Sequence, residues 1–118
     1  MSKILLQQLR KQRELKIQLT NKLSVTARRP TQLQFEEIRE KGRYADLGKR
    51  YIIGWDGFTE NDIVGGGGTD KVPFDEELWG DWFEDHSEHW MKIATSVIDA
   101  YNAYNKSTEE AAKNSQPG

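Results

Sequence analysis

Two histidines are the first side chains of this 118-residue chain that could bind a metal, because His86 and His89 lie three residues apart beside Asp85 and Glu88. Imidazoles at this spacing on one helix can share a metal ion. Ser87, however, is a favourable helix N-cap, which places His86 before the helix and His89 within it. Further ligands have no obvious source except neighbouring or more distant carboxylates. We therefore expect a polar corner between two helices and no metal site.

A run of four glycines at 65–68, followed by Thr69, Asp70 and Lys71, could cradle a phosphate through backbone N–H groups. A phosphate-binding loop needs Gly-Lys followed by Ser or Thr at the start of a helix. Here Pro73 and an acidic helical segment follow instead, and their carboxylates would repel phosphate. The glycines therefore predict a flexible hinge.

Catalytic chemistry finds little support in the remaining residues. The chain has no cysteine, which excludes thiol catalysis, disulfide scaffolds and Cys-containing zinc fingers. The carboxylates of residues 75–88 have the spacing of exposed helix faces and first-turn dipole partners rather than of a general acid and base. We predict a protein that is not an enzyme and has no catalytic, cofactor or metal residues.

Opposite charges are concentrated in the two parts of the chain. Residues 1–54 contain 13 Lys and Arg and 5 Asp and Glu, which gives a charge of +8. Residues 55–118 contain 4 Lys and Arg and 14 Asp and Glu, which gives a charge of −10. Near-neutrality overall, at −2, therefore hides two opposite halves. They can attract each other within one fold, or the basic part of one copy can meet the acidic part of the next and build a homo-oligomer.

The basic part makes nucleic acid a third kind of partner to consider. Its Lys and Arg residues include Arg10, Lys11, Arg13, Lys16, Arg28, Arg29, Arg39, Lys41, Arg43, Lys49 and Arg50. No RNP, helix-turn-helix or KH signature accompanies them, and the acidic part of the chain would be repelled from the same phosphates. The sequence therefore disfavours nucleic acid and leaves it as an alternative.

The chain contains four tryptophans, and tryptophan is more often found in a core than at an interface. Trp79 and Trp82 are the better interface candidates because they lie on a short helix beside the glycine hinge, where exposed aromatic rings would anchor a partner. The predicted partner-binding residues are Trp79, Trp82, Phe83, Arg28 and Arg29.

The elements that must position these residues begin with a helix over 3–12 and a β-hairpin. Apolar residues alternate at Leu15, Ile17 and Leu19 and again at Leu23, Val25 and Ala27. Because residues opposite each other share a face, a three-residue loop at 20–22 pairs Leu19 with Leu23, Ile17 with Val25 and Leu15 with Ala27. Such a loop usually needs a left-handed residue, here Asn21 or Lys22.

Helices account for most of the remaining chain. Thr31 and Gln34 fit a capping box that starts a helix, which runs to about Lys41 and ends at Gly42. A second helix is expected from about Tyr44 to Ile53, a third after Asp75, and a fourth from Ser87 to about 105. The prediction is one α+β domain over 1–105: a helix and hairpin followed by about four helices, with a flexible loop at 56–72 and a disordered tail at 106–118.

Membrane insertion and secretion are not expected. No run approaches the roughly 18 apolar residues of a membrane span, and residues 1–6 are too short an apolar stretch for a signal peptide. The hydrophobic fraction of 36% and 12 aromatic residues predict a small, aromatic-rich core that a partner could complete. We therefore expect a cytoplasmic location.

The order of several short segments resembles a known class of protein. A hairpin ends in Arg-Arg-Pro-Thr at 28–31, a Trp-x-Gly-hydrophobic-Thr-Glu segment follows at 55–60, and Val-Pro-Phe at 72–74 leads to a Trp-containing helix. Over most of residues 13–104 the arrangement resembles the small tail-module morphogenesis proteins of long-tailed bacteriophages and prophages, particularly the tail-assembly-chaperone type.

The resemblance implies a role in the cytoplasm of a bacterial host. A chaperone of this type would keep the tape-measure protein soluble during tail assembly and leave before the virion is complete. Tail modules also encode minor tail proteins and head-tail completion or connector proteins, so the alternative that the resemblance implies is a structural component retained in the virion.

Overall fold

A three-stranded antiparallel sheet and a set of helices form one small domain. The α+β class is as predicted, whereas the sequence pattern predicts only the two strands of the hairpin. The computed structural model describes residues 2–42 and 45–115. Its elements in chain order are α1 (Ser2–Gln12), β1 (Glu14–Gln18), β2 (Ser24–Arg28), α2 (Gln32–Lys41), α3 (Ala45–Arg50), β3 (Ile52–Asp56), α4 (Glu60–Ile63), α5 (Glu76–Glu84), a 3-10 turn (Ser87–His89) and α6 (Trp90–Ser115).

The hairpin of β1 and β2 has the predicted register. Leu15 lies opposite Ala27 and Ile17 opposite Val25, and the N–H of Leu19 donates to the Leu23 carbonyl at 2.9 Å. These side chains share one face of the sheet, so the apolar residues of both strands pack against the core together.

The hairpin loop at 20–22 turns without a left-handed residue, so that prediction for Asn21 or Lys22 is wrong. In the described residues only glycines have a positive φ. The hydroxyl of Thr20 instead accepts from the backbone N–H groups of Lys22 at 3.2 Å and Leu23 at 2.9 Å. A threonine side chain thus satisfies the donors that a left-handed turn would have paired.

The third strand corrects the helix predicted from about Tyr44 to Ile53. Tyr44 lies outside the described residues, α3 ends at Arg50, and Ile52 begins β3, which pairs antiparallel with β2. Leu47 does face the core, as its spacing predicted. The adjacent Ile52 and Ile53 are β-branched and favour a strand once a neighbouring edge is present to pair with.

Helix α2 begins and ends where the sequence predicts. The Thr31 hydroxyl accepts from Gln34 N–H at 3.2 Å while the Gln34 side chain accepts from Thr31 N–H at 2.9 Å, which completes the capping box. At the other end Gly42, with φ of 68°, donates its N–H to the Ile38 carbonyl. Both caps pair backbone groups that would otherwise lack partners.

The core lies between the apolar face of the sheet, α3, α5 and α6. Its buried apolar residues include Ile17, Val25, Ala27, Leu47, Ile52, Phe58, Trp79, Trp82, Phe83, Ile93 and Val97. Aromatic contacts dominate, with Trp79 stacked against Trp82 at 5.6 Å between ring centroids. The domain therefore relies on a few large side chains to bury apolar area, in agreement with the low hydrophobic content of the sequence.

The segment 56–72, predicted as a flexible loop, is irregular but extensively hydrogen-bonded. It contains α4, and Thr59 forms an isolated β-bridge with Lys71. The N–H groups of Glu60 and Asn61 donate to the carbonyls of Asp70 and Gly68, each at 3.0 Å. These bonds close the glycine run into a compact loop over α4.

The last helix is longer than the sequence suggests. α6 runs 26 residues to Ser115, so the described part of the predicted disordered tail, 106–115, is helical, and 116–118 lie outside the described residues. Glu109, Glu110, Ala111 and Ala112 are strong helix formers that continue the helix once it is nucleated. Ser87, the predicted N-cap, instead opens the 3-10 turn before Trp90. None of the helices in the described residues combines the length and apolar character that crossing a bilayer requires.

Candidate anion-binding cleft

Five arginines line one cleft at the end of the sheet where β2 ends and β3 begins. The cavity has a volume of about 470 Å³. Its lining consists of Arg10, Arg13, Arg28, Arg29, Thr31, Gln34, Arg50, Tyr51 and Ile53. No carboxylate is among these residues, so the cavity is strongly positive.

Backbone hydrogen bonds hold together the segments that carry these arginines. Arg13 donates its N–H to the Arg10 carbonyl at 3.1 Å, and Arg29 donates to the Arg13 carbonyl at 2.7 Å. On the other side Arg28 donates to the Tyr51 carbonyl at 2.8 Å. The ends of α1 and β2 and the start of β3 are therefore fixed relative to one another before any ligand binds.

Helix α2 adds the positive end of its dipole to the same cleft. Thr31 and Gln34, which line the cavity, form the capping box at the helix N-terminus. The first turn of α2 contains no acidic residue that would neutralise this end. A helix N-terminus favours negative charge, so it reinforces the potential set by the arginines.

Arg29 is the most deeply placed of the five. It is 8% exposed, its guanidinium lies 3.6 Å from the centroid of the Tyr104 ring of α6, and its Nη1 donates to the Pro30 carbonyl at 3.2 Å. Burial lowers the pKa of Arg29, and the neighbouring Arg13 charge lowers it further. Arg29 thus anchors α6 to the cleft wall while still contributing its charge.

Two guanidinium nitrogens of the arginines that line the cleft have no partner. The Nε atoms of Arg13 and Arg28 are buried and make no hydrogen bond. Within residues 2–42 and 45–115, no carboxylate lies within 4.0 Å of any of the five arginines. Buried donors without acceptors are costly, and clustered like charges add repulsion, so this arrangement is suited to an anionic ligand.

Tyr51 offers the cleft a neutral donor. Burial raises the pKa of the half-buried Tyr51 phenol, and nearby Glu37 and Asp46 raise it further against the opposing effect of Arg50. The phenol therefore stays protonated at neutral pH and can donate a hydrogen bond to an anion.

The two oppositely charged parts of the chain meet in the fold through a few ion pairs. Lys22 bonds Asp62 at 2.8 Å, and Lys49 pairs with Glu84. The Lys22 hydrogen bond, together with Thr59, holds the pKa of Asp62 below its usual range. None of these four paired residues lines the cleft. Part of the charge complementarity is therefore internal, and association of copies through the remaining charge stays a prediction.

The structure divides the predicted partner-binding residues between two places. Trp79, Trp82 and Phe83 are core residues, 0%, 6% and 2% exposed, so in this fold they offer no surface to a partner. They lie at spacings of three and four on α5 and form its buried face together with Gly80, which is why this helix has little exposed aromatic area. Arg28 and Arg29 both line the arginine cleft.

The two histidines stack on Trp82 rather than converging on a metal. The ring centroids of His86 and His89 lie 3.9 Å and 5.6 Å from that of Trp82, and His86 Nδ1 lies 2.6 Å from the Trp82 carbonyl. Burial lowers the pKa of His89, with Glu88 opposing this effect. No group of three or more His, Asp or Glu side chains among the described residues is placed to hold a metal ion.

The sequence names only part of the cleft in advance. Arg28 and Arg29 stand out beside Pro30, but Arg10 and Arg50 are distant along the chain and converge only when β2 pairs with both neighbours. The hairpin register links two other arginines of the cleft, because Arg28 lies opposite Glu14 and Arg13 is the residue before Glu14. Comparison of the chain with protein-family models, with curated proteins and with solved structures finds no match.

Proposed function

We propose that this protein is a non-enzymatic binding module whose arginine cleft takes an anionic segment of a partner. The single observation that supports the proposal most strongly is a cavity lined by no carboxylate and by five arginines, two of which, Arg13 and Arg28, also have a buried Nε without a partner. Arginine forms two parallel hydrogen bonds with a carboxylate or phosphate, so the cleft has the donors that such a ligand needs.

Stabilisation by polyanions tests this function. We expect tripolyphosphate, an oligothymidylate or polyglutamate to raise the melting temperature, because a ligand at 100 times its Kd stabilises the folded state by about 2.7 kcal/mol, on the order of 10 °C for a small domain. The double variant Arg13→Gln, Arg28→Gln should lose this shift.

Arg39→Gln is the matched control for that experiment, because it removes an exposed charge on α2 outside the cleft. It should retain the full shift. The proposal fails if none of the three polyanions raises the melting temperature of the wild-type protein, or if the double variant responds as the wild type does.

A tail-assembly role is the second candidate function, and the N-terminal helix supports it. No residue of α1 is buried, and its four large apolar side chains are 44–66% exposed; they are Ile4, Leu5, Leu6 and Leu9. An apolar face on a helix that carries only basic charges suits an amphipathic helical segment of a larger protein, which is what a chaperone of the tape-measure protein would hold.

Loss of the apolar face of α1 should abolish that contact. We expect the double variant Leu5→Ser, Leu9→Ser to retain a tape-measure fragment at least about 10-fold less well in a pull-down, since each buried Leu contributes about 1.5–3 kcal/mol. Gln7→Ser, Gln8→Ser controls for the lower helix propensity of serine. Equal retention by both variants would contradict the role of α1, and detection of the protein in purified virions would favour the structural alternative over the chaperone.

A further inference from the structure

We infer that the ligand of the arginine cleft carries adjacent phosphate groups, as the backbone of a single-stranded nucleic acid does. This inference rests on the anion-binding function proposed above and specifies the chemistry of the anion. Phosphate, carboxylate and sulfate can all pair with arginine, so the choice between them depends on how the donors are arranged around the cavity.

The arginines approach the cavity from several elements. Arg10 belongs to α1, Arg28 to the end of β2 and Arg50 to the end of α3, while Arg13 and Arg29 lie in the segments that join these elements. A carboxylate accepts hydrogen bonds mainly within its own plane. A tetrahedral phosphate presents oxygens in several directions and can satisfy donors that converge from different sides, so the arrangement favours phosphate.

The charge of the cavity also favours more than one phosphate. Five guanidinium groups face a space of about 470 Å³ together with the positive end of the α2 dipole and the neutral Tyr51 phenol. One monoanion would leave most of this positive charge unbalanced. Adjacent phosphates on one chain supply several negative charges at short intervals, with few additional atoms to accommodate.

A polar strip of the sheet continues from the cleft. Arg28, Thr26 and Lys16 share one face, because Lys16 lies opposite Thr26 and successive side chains on a strand alternate. Gly54 lies opposite Thr26 on β3 and leaves this part of the face without a bulky side chain. An extended phosphodiester chain can therefore leave the cleft along a surface that offers further donors.

The acidic part of the chain contributes no residue to the cleft lining and one residue, Asp56, to this face of the sheet. The cleft lining ends at Ile53, before the 14 acidic residues that follow in the sequence. Two exposed acidic side chains lie beside the path: Glu14, directly opposite Arg28, and Asp56, opposite Ser24 on the same face of the sheet. Neither is within 4.0 Å of Arg28, and their charges would weaken rather than prevent phosphate binding.

Fluorescence anisotropy with a labelled oligothymidylate tests the inference on the full-length protein. We expect Arg28→Gln to weaken binding about 10-fold and Arg13→Gln, Arg28→Gln about 100-fold, since each removes charge-assisted hydrogen bonds. Arg39→Gln should change affinity about twofold or less. Glu14→Gln should strengthen binding, which a merely structural disturbance would not do. Circular dichroism melts establish that every variant is folded.

Salt dependence and competition identify the source of the phosphate. With three or more phosphates neutralised, log affinity should fall against log salt with a slope of about −2 or steeper, because each phosphate of a single strand contributes about −0.7. Competition by tripolyphosphate supports the phosphate chemistry. If tripolyphosphate stabilises the protein but the oligothymidylate does not bind, the phosphate chemistry stands and the source is a free oligophosphate.

Polyglutamate separates failure of this inference from failure of the proposed function. Stabilisation by polyglutamate alone, lost in the double variant, would overturn the phosphate assignment while supporting an anion-binding cleft that takes an acidic peptide. No response to any of the three polyanions would overturn both. Oligothymidylate binding that is unchanged in the double variant would also overturn the inference, because the nucleic acid would then bind elsewhere.

Discussion

Trp79→Ala should lower the free energy of unfolding by about 4–6 kcal/mol, since truncating a buried tryptophan costs about 3–5 kcal/mol and leaves a buried acceptor unpaired. Trp79 is fully buried, contacts Phe58, Trp82 and Phe83, and donates Nε1–H to the Gly48 carbonyl at 2.9 Å. The total free energy of unfolding of a small domain is about 5–15 kcal/mol, so the variant would keep little of its stability.

Urea unfolding followed by circular dichroism measures this effect. Leu78→Ala is the matched control, because Leu78 precedes Trp79 on α5 but is 38% exposed, and its loss should cost less than about 1 kcal/mol. If Trp79→Ala were as stable as the control and failed only to bind a partner, Trp79 would be an interface residue and its placement in the core would be contradicted.

The sequence predicts Trp79 as a partner-binding residue, whereas the structure places it in the core. Apolar spacing predicts which residues share a helix face, but it does not predict what packs against that face. Trp79, Trp82 and Phe83 are apolar at spacings of three and four, which defines one face of a helix but not what covers that face. Here α3, Phe58 and Trp90 of α6 cover it. The covering elements come from other parts of the chain, so the answer depends on tertiary contacts that local spacing does not contain.

The sheet contains one strand pair that local alternation predicts and one strand that depends on a tertiary contact. The hairpin register follows from alternation alone, because only one register places all the apolar side chains of both strands on one face, and the structure confirms it. β3 has no such local partner. Its residues Ile52 and Ile53 follow a helical segment directly, and they form a strand only because β2 presents an edge to pair with.

The arginine cleft could be predicted only in part for a related reason. Arg28 and Arg29 are adjacent at a chain reversal, so their prominence is visible in the sequence. Arg10 and Arg50 lie 40 positions apart and meet because β2 occupies the centre of the sheet, in the order β1-β2-β3. Positive charge in the first part of the chain predicts the sign of the surface, whereas the sheet order determines its shape.

The Trp-x-Gly-hydrophobic-Thr-Glu segment at 55–60 has a structural explanation for each of its main positions. The Trp55 indole donates to the Val72 carbonyl at 2.7 Å, Phe58 is buried in the core, and Thr59 bonds the Asp62 carboxylate through both its N–H and its hydroxyl at 2.8 Å. The motif therefore fixes the route of the chain from β3 into α4 rather than forming a ligand site.

Gly57 is the position of this segment that tolerates substitution least. Its φ of 89° is a conformation that residues with a side chain rarely adopt, and a Cβ at this position would lie 2.2 Å from the Lys22 carbonyl oxygen. That oxygen belongs to the hairpin loop, which cannot shift freely because the neighbouring Leu23 carbonyl accepts from Leu19 and Thr20. The turn after β3 thus packs directly against the backbone of the hairpin.

Gly57→Ala should therefore destabilise the protein by about 3–4 kcal/mol, combining the left-handed conformation of a residue with a side chain and the clash with Lys22. Gly65→Ala is the control, because a Cβ there meets nothing within 4 Å, and its cost should stay below about 1 kcal/mol. Thermal melts of both variants measure the difference. A Gly57→Ala variant as stable as Gly65→Ala would show that the hairpin loop and the turn can separate, and the explanation of the motif as a fixed junction between β3 and the hairpin would then be wrong.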